Sequence, residues 1–232
     1  MTGARITLLG SQHDAVTTFL TSHPDGHEKA VAVLFRRLHI PVEGLPDSDR
    51  YIAHEVIPFE DDWVTSSSPE HIAFALAPLR ELFRRCEEES LVFGFVHNHP
   101  SGPAAFSTID DENERTLLKA LSNRNGPDIT LVSMLWAEGQ WFARTRSGCS
   151  PDMAVPVRHT LVLGDRIVLY GYKESSDEHT EIQARQAAAF GQPFVDILQS
   201  LRVGFIGNGG TGSPLATLGA RAGIGELVLI DK

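Results

Sequence analysis

Cysteine is scarce: Cys86 and Cys149 are the two in 232 residues. So few exclude a disulfide framework, and without CxxC spacing any zinc must be held by histidine and carboxylate. Long apolar runs are lacking as well. No stretch approaches the ~18 consecutive apolar residues of a membrane span, and the opening MTGARITLLGSQHD has no basic region followed by an apolar one. These absences predict a cytoplasmic chain with no membrane partner. Positive charge is also in short supply, with 20 Lys and Arg against 30 Asp and Glu and a net charge of -10. The basic residues are scattered, so the clustered cations that phosphate contacts require are missing and no nucleic-acid partner is expected. What is present is the composition of a globular protein, 42% hydrophobic, with ample material for a core.

Along the chain, HEKAVAVLFRRL follows the turn signal SHPDG and predicts a buried strand with Glu28 at its start. YIAHEVIPF predicts a second strand. SSSPEHIAFALAPLRELFRRCEEE, residues 66–89, opens on serine and repeats its apolar residues at helical spacing, which predicts one long helix. LVFGFV then reads as a central strand with His97 and His99 at its C-terminal end. STIDDENERTLLKALSNRNG predicts a helix, acidic in its first turns and stopped by glycine. With the strands ITLVSMLWA and QWFART, the expected fold is a mixed α+β domain, a central mixed sheet flanked by helices, complete by about residue 146. HTLVLGDRIVLYGY and the polar KESSDEH read as a hairpin and linker at a domain boundary. After them come helix TEIQARQAAAF, strand RVGFIG, loop NGGTG, helix SPLATLGARAG and strand ELVLID. That is one Rossmann-like βαβ unit, ending at Lys232 before the sheet it implies is built. The expected domains are thus 1–148, a hairpin and linker over 149–178, and 179–232.

The segment HNHPSGPAAFSTID concentrates the chemistry. Alternate strand residues point to one side, so His97 and His99 share a site while Asn98 faces away. Ser107 and Asp110, three apart at a helix start, share a face, and the seven residues after His99 are enough to bring that helix back over the strand end. Two imidazoles and one carboxylate leave a tetrahedral zinc an open position for water, the arrangement of a hydrolytic site. Glu28 is the best-placed general base. Each piece also has a plainer reading: Ser107 with Asp110 is a capping-box spacing, and a glutamate at a strand entrance is usually solvated. His27 adjoins Glu28, while His54, His71 and His159 have no partner at ligand spacing.

The pattern H-x-H-x(7)-S-x-x-D, with a glutamate on an earlier strand, resembles that of the JAMM (MPN-domain) zinc metalloproteases, the ubiquitin isopeptidases and their bacterial relatives. That resemblance covers residues 1 to about 146 in element order. It implies a cytidine-deaminase-like fold in which His97, His99 and Asp110 hold zinc, Glu28 activates water and Ser107 stabilises the tetrahedral oxyanion.

GNGGTGS, residues 207–213, places G-x-G-x-x-G between a strand and a helix, with Asp231 ending the next strand. Glycines there let a backbone approach phosphates at a helix N-terminus, and an acidic residue about 20 positions on can bind a ribose. The doubled Gly209-Gly210, followed by Thr211-Gly212-Ser213 and AGIGELVLID, is similar to the opening of ThiF/E1-like adenylating domains. The resemblance implies a phosphate loop of Gly207, Gly209, Gly210 and Gly212, Asp231 on the ribose, and Arg185 reaching into a dimer partner's ATP site. ATP and magnesium are expected only for a complete adenylating domain. The chain is accordingly expected to be part of a longer JAMM–E1 fusion that does not adenylate by itself.

The function these features predict is a zinc peptidase or isopeptidase acting at the C-terminus of a ubiquitin-like protein, with a homodimer through the E1-like part as a further expectation. Alternatives are a catalytically silent MPN scaffold, argued against by the intact five-residue set, and a RadC-like DNA-repair protein, whose HNHPSG wording the chain shares. The acidic balance argues against that one. A nucleotide-dependent oxidoreductase would rest on the glycine loop alone.

Overall fold

The computed structural model describes residues 4–39, 49–165, 167–171 and 181–231. The chain divides into two compact units, Met1–Tyr170 and Gly171–Lys232.

The first unit begins with β1 (Arg5–Leu9), α1 (Gly10–Leu20), β2 (Ala30–His39) and β3 (Asp49–Pro58). In β2 the run from Ala30 to Phe35 is buried on both faces. Ala30, Ala32 and Leu34 join one hydrophobic cluster, while Val31, Val33 and Phe35 join a second on the other side of the sheet. This is why the run reads as continuously apolar rather than alternating: helices cover both faces. The single-turn 3-10 helix at Asp61–Trp63 leads into β4 (Val64–Ser68), β5 (His71–Phe74) and α2 (Leu79–Glu88).

Here the sequence expectation needs correction. The long helix over 66–89 is instead a β4–β5 hairpin followed by a helix that starts only at Leu79. The physical reason is proline. Pro69 sits at the second position of the turn between the strands, where its fixed φ is favoured, and Pro78 fits the helix N-terminus but not a helix interior. What remains is strongly one-sided, with Leu79, Leu82, Phe83 and Cys86 buried at i, i+3, i+4 and i+7.

β6 (Val92–Asn98), α3 (Thr108–Asn125), β7 (Thr130–Ala137), β8 (Gln140–Ser147), β9 (Ser150–Pro156), β10 (His159–Leu163) and β11 (Ile167–Gly171) complete the unit. Gly94 in β6 is required by packing, since a Cβ there would lie 2.3 Å from Phe35 Cε2. α3 buries Leu117, Leu118 and Leu121 on the same face as Asp110 and Glu114. Apolar contact thus anchors its C-terminal half, and the N-terminal half puts acidic groups against the sheet.

All eleven strands but the β4–β5 pair form one mixed sheet in the order β11-β10-β1-β3-β2-β6-β7-β8-β9. The hairpin assigned to a linker over 149–178 is therefore part of the sheet, because β10 pairs in parallel with β1 from Arg5↔His159 to Leu9↔Leu163. Residues 172–178 of the expected linker, and residues 179 and 180 after it, lie outside the described residues. β9 and β10 stand seven positions apart, about 34 Å in a flat sheet at ~4.8 Å per strand. Only Val157 and Arg158 join them, and they reach about 10 Å. The sheet must curl, and it does: Val157 N–H bonds Ala143 O on β8 while Arg158 N–H bonds Ala4 O beside β1. α1 fills the inside of the curl, packing Val16 and Leu20 into the second cluster.

The second unit holds α4 (Glu181–Phe190), α5 (Gln192–Ser200), β12 (Arg202–Ile206), α6 (Gly212–Arg221) and β13 (Glu226–Ile230). β12 and β13 pair in parallel from Arg202↔Glu226 to Ile206↔Ile230, giving a βαβ arrangement. Among the described residues no helix is long and apolar enough to cross a membrane.

Candidate metal centre

The site lies where β6 ends. Strand alternation puts His97 on the α3 side, one step beyond Phe95, and its ring stacks on that of Phe95 with centroids 5.2 Å apart. His99 lies just past the strand, its backbone N–H donating to Trp136 O on β7 at 3.1 Å. Its Nδ1 is 2.9 Å from Pro103 O. A carbonyl only accepts, so Nδ1 carries the proton and Nε2 keeps its lone pair for the site.

After seven intervening residues the chain returns as α3, with Ser107 as its N-cap. Asp110 N–H donates to Ser107 Oγ at 3.2 Å, while Ser107 N–H and Oγ donate to Asp110 Oδ2 at 2.6 and 2.8 Å. This capping box fixes a carboxylate over the strand end. Asp110 Oδ1 lies 2.9 Å from His97 Nε2, and Oδ2 lies 3.4 Å from His99 Nε2.

Glu28 enters from the loop before β2. Its N–H donates to Ser68 O at 2.9 Å, and the next N–H, of Lys29, donates to Asn98 Oδ1 at 2.8 Å. Asn98, between the two histidines, thus holds the glutamate's loop. Alternation shows that Asn98 faces away from the site, but nothing local shows which backbone it meets. Glu28 Oε1 stands 3.6 Å from His99 Nε2.

Glu28, His97, His99 and Asp110 are respectively 2%, 0%, 7% and 3% exposed. Among the described residues His97 Nδ1 has no hydrogen-bond partner, and His97 Nε2 and Glu28 Oε1 face Asp110 Oδ1 at 2.9 Å and His99 Nε2 at 3.6 Å without a hydrogen bond. Buried polar atoms are costly unless satisfied, so a group of this kind calls for a ligand. Glu28, His97 and His99 offer ligand atoms that all lie within 4.8 Å of one another and can hold a metal ion. Donors around a tetrahedral ion at ~2.0–2.1 Å are about 3.3 Å apart. The contacts of 2.9, 3.4 and 3.6 Å fall around that value.

The two carboxylates are electrostatically unlike. Burial pushes the Glu28 carboxyl up to about 7, with His97 and His99 pulling against it. Burial also pushes Asp110 upward, but the adjacent imidazoles of His97 and His99 and the backbone N–H of Ser107 outweigh this and hold it well below the usual carboxylate range. Burial lowers His99, and Asp110, Pro103 O and Glu28 more than reverse that. One carboxylate is a fixed anion and the other exchanges its proton near neutrality, a division that suits one for ligation and the other for proton transfer.

The structure thus brings Glu28, His97, His99 and Asp110 together in one buried cluster, with the half-buried Ser107 bonded to Asp110 at its edge. Ser107 differs in its bonding from the expected oxyanion donor: its hydroxyl proton is committed to Asp110. His27 stacks on His23 at 4.6 Å and its Nδ1 is 3.4 Å from Ser67 Oγ, outside the cluster. Asp111 and Glu114 on α3 and Arg144 and Arg146 on β8 border the site beyond the residues expected from the sequence, although an acidic residue four positions after Asp110 is visible there.

In the second unit, Gly207 ends β12 with a φ of 82 and Gly212 opens α6. A Cβ on Gly212 would lie 1.7 Å from Gly207 O, so only glycine closes the loop; Gly209 and Gly210 have open space there. Asp231, expected on a ribose, accepts a hydrogen bond from Asn208 N–H of the same loop at 2.9 Å. Arg185 is exposed on α4.

Compared with protein-family models and with curated proteins, the chain matches none.

Proposed function

We propose that this chain is a zinc-dependent peptidase or isopeptidase that cleaves at the C-terminus of a ubiquitin-like protein, in a prokaryotic conjugation-like system. The observation that carries the reading is the buried convergence of Glu28, His97 and His99, a group able to hold a metal ion, with Asp110 2.9 and 3.4 Å from the two imidazoles as the carboxylate that would ligate in place of Glu28. The order and spacing of these residues, similar to the JAMM pattern, support a hydrolytic zinc site rather than a structural one. The choice of substrate rests on the resemblance of residues 202–231 to domains that activate ubiquitin-like proteins.

In this reading His97, His99 and Asp110 are the ligands. Bound zinc would supply a Lewis acid for the scissile carbonyl and lower the pKa of a coordinated water to about 7. Glu28 takes the proton of the attacking water and returns it to the leaving amine. Asn98 fastens the Glu28 loop to the end of β6, and Pro103 O keeps His99 in the ligating tautomer. Ser107 orients Asp110, and the hydroxyl meets a developing oxyanion only by turning from that carboxylate.

The test pairs elemental analysis of wild type, His97→Ala and Glu28→Ala with hydrolysis of a ubiquitin-like fusion substrate. One zinc per chain is expected in wild type and Glu28→Ala, with cleavage in wild type alone. Undiminished cleavage by Glu28→Ala removes the proposed base. A chain that takes up no zinc after reconstitution is no metallopeptidase, and an assembly scaffold becomes the reading to pursue.

A further inference from the structure

The first turns of α3 meet the sheet through charge. Glu114 is fully buried, and its two oxygens are taken by Arg144 Nε at 2.9 Å and Arg146 Nε at 2.5 Å. Both arginines also reach Asp111 Oδ1, Arg144 through Nη2 at 2.8 Å. Arg146 Nη1 donates to Pro151 O at 3.1 Å. The Arg144 guanidinium lies 4.0 Å over the ring of Phe106, which directly precedes Ser107 and whose centroid is 6.2 Å from that of His97.

We propose that Arg144 and Glu114 are positioning residues that hold the Ser107–Asp110 corner of the metal centre in ligating geometry. This rests on the reading of the centre as a metal site. Arg144 grips the corner from both sides, through Phe106 before the N-cap and through Asp111 and Glu114 after Asp110. Glu114 lies one helical turn beyond Asp110, so fixing it fixes the rotation of α3 about its axis. Adhesion alone would not need charge. Leu117, Leu118 and Leu121 attach the rest of the helix, and apolar side chains commonly replace a buried ion pair at no loss of stability. What the planar guanidinium fork adds is direction, because it bonds only where carboxylates lie in its plane.

The experiment compares zinc affinity, by chelator competition, and the visible spectrum of the cobalt-substituted chain in wild type, Glu114→Gln and Arg144→Gln. The control is Arg124→Gln, which removes the exposed Arg124–Glu87 pair at the other end of α3. Loss of an outer-sphere orienting group typically weakens metal binding about 10- to 100-fold, and that loss is expected in the first two variants with a changed cobalt spectrum. The control should match wild type. A lowered melting temperature with zinc affinity within about twofold of wild type and an unchanged spectrum means the cluster is merely structural and overturns the proposal. Should Glu114→Gln fail to fold, Arg144→Gln carries the test, since Arg146 stays on Glu114. A wild-type chain that binds neither metal refutes the metal-site reading, and this inference with it, before any variant is considered.

Discussion

Glu28→Gln should make the metal-free protein more stable at alkaline pH while abolishing the proposed chemistry. The carboxyl is 2% exposed and its pKa is raised from 4.5 to about 7, first by burial, with Asp110 adding to the rise and the two histidines opposing it. Each pKa unit corresponds to ~1.4 kcal/mol, so the ionised carboxylate costs the fold about 3 kcal/mol. The sign follows from proton counting. Between pH 4.5 and about 7 the native state keeps a proton that the unfolded chain has lost, so stability falls as pH rises through that window and stays low above it. Glutamine does not titrate, but its amide remains a buried polar group, so the net gain at pH 8 should be about 1–3 kcal/mol. For a chain of this size that is roughly 2–12 °C in melting temperature. The assay is thermal unfolding of both proteins in chelator at pH 5 and pH 8. The gap should be small at the lower pH and wide at the higher, and added zinc should narrow it by neutralising the wild-type carboxylate. Equal melting temperatures at pH 8, or a gap that ignores pH, refute the claim that this carboxylate is held against its desolvation cost.

Two further outcomes are expected away from the centre. His159 is lowered from 6.5 to about 4 by burial together with Arg5, Arg158 and Arg50. Below pH 6.5 the unfolded chain takes up a proton that the native one resists until about 4, so up to about 3 kcal/mol is lost as pH falls through that window. Urea titrations at several pH values should show that slope reduced in His159→Gln, and an unchanged acid limb would contradict it. Gly94→Ala puts a methyl 2.3 Å from Phe35 Cε2 and 2.9 Å from Val33 O. Overpacking of this kind costs about 1–3 kcal/mol, so the urea midpoint should fall, and a neutral result would mean that β2 and β6 yield more easily than their packing suggests.

Much of the site is legible in the sequence because its decisive relations are local. His97 and His99 share a side by strand alternation, and Ser107 and Asp110 share a face by helical spacing. The capping box and the catalytic-looking pair turn out to be one arrangement, since the bonds that cap α3 also aim Asp110 at both imidazoles. The helix expected over 66–89 failed for a local reason of another kind. The apolar spacing over 72–86 fits a helix, but Pro69 and Pro78 divide it into a turn, a strand and a shorter helix.

The sequence by itself therefore determined the central strands, the helix after Ser107, the βαβ unit of residues 202–230 and the set of groups able to meet at a metal, but not β1, α1, the β4–β5 hairpin, β9 or α5. Only the tertiary structure decided that β10 lies parallel to β1, that the sheet curls, that Asn98 holds the Glu28 loop and that Arg144 and Arg146 share Glu114. The physical reason is range. Periodicity and capping depend on neighbours within one turn or one pleat, whereas strand order and buried ion pairs depend on what all the other elements leave uncovered. His159, solvated if its hairpin were a linker, becomes a half-buried base beside three arginines once that hairpin joins the sheet.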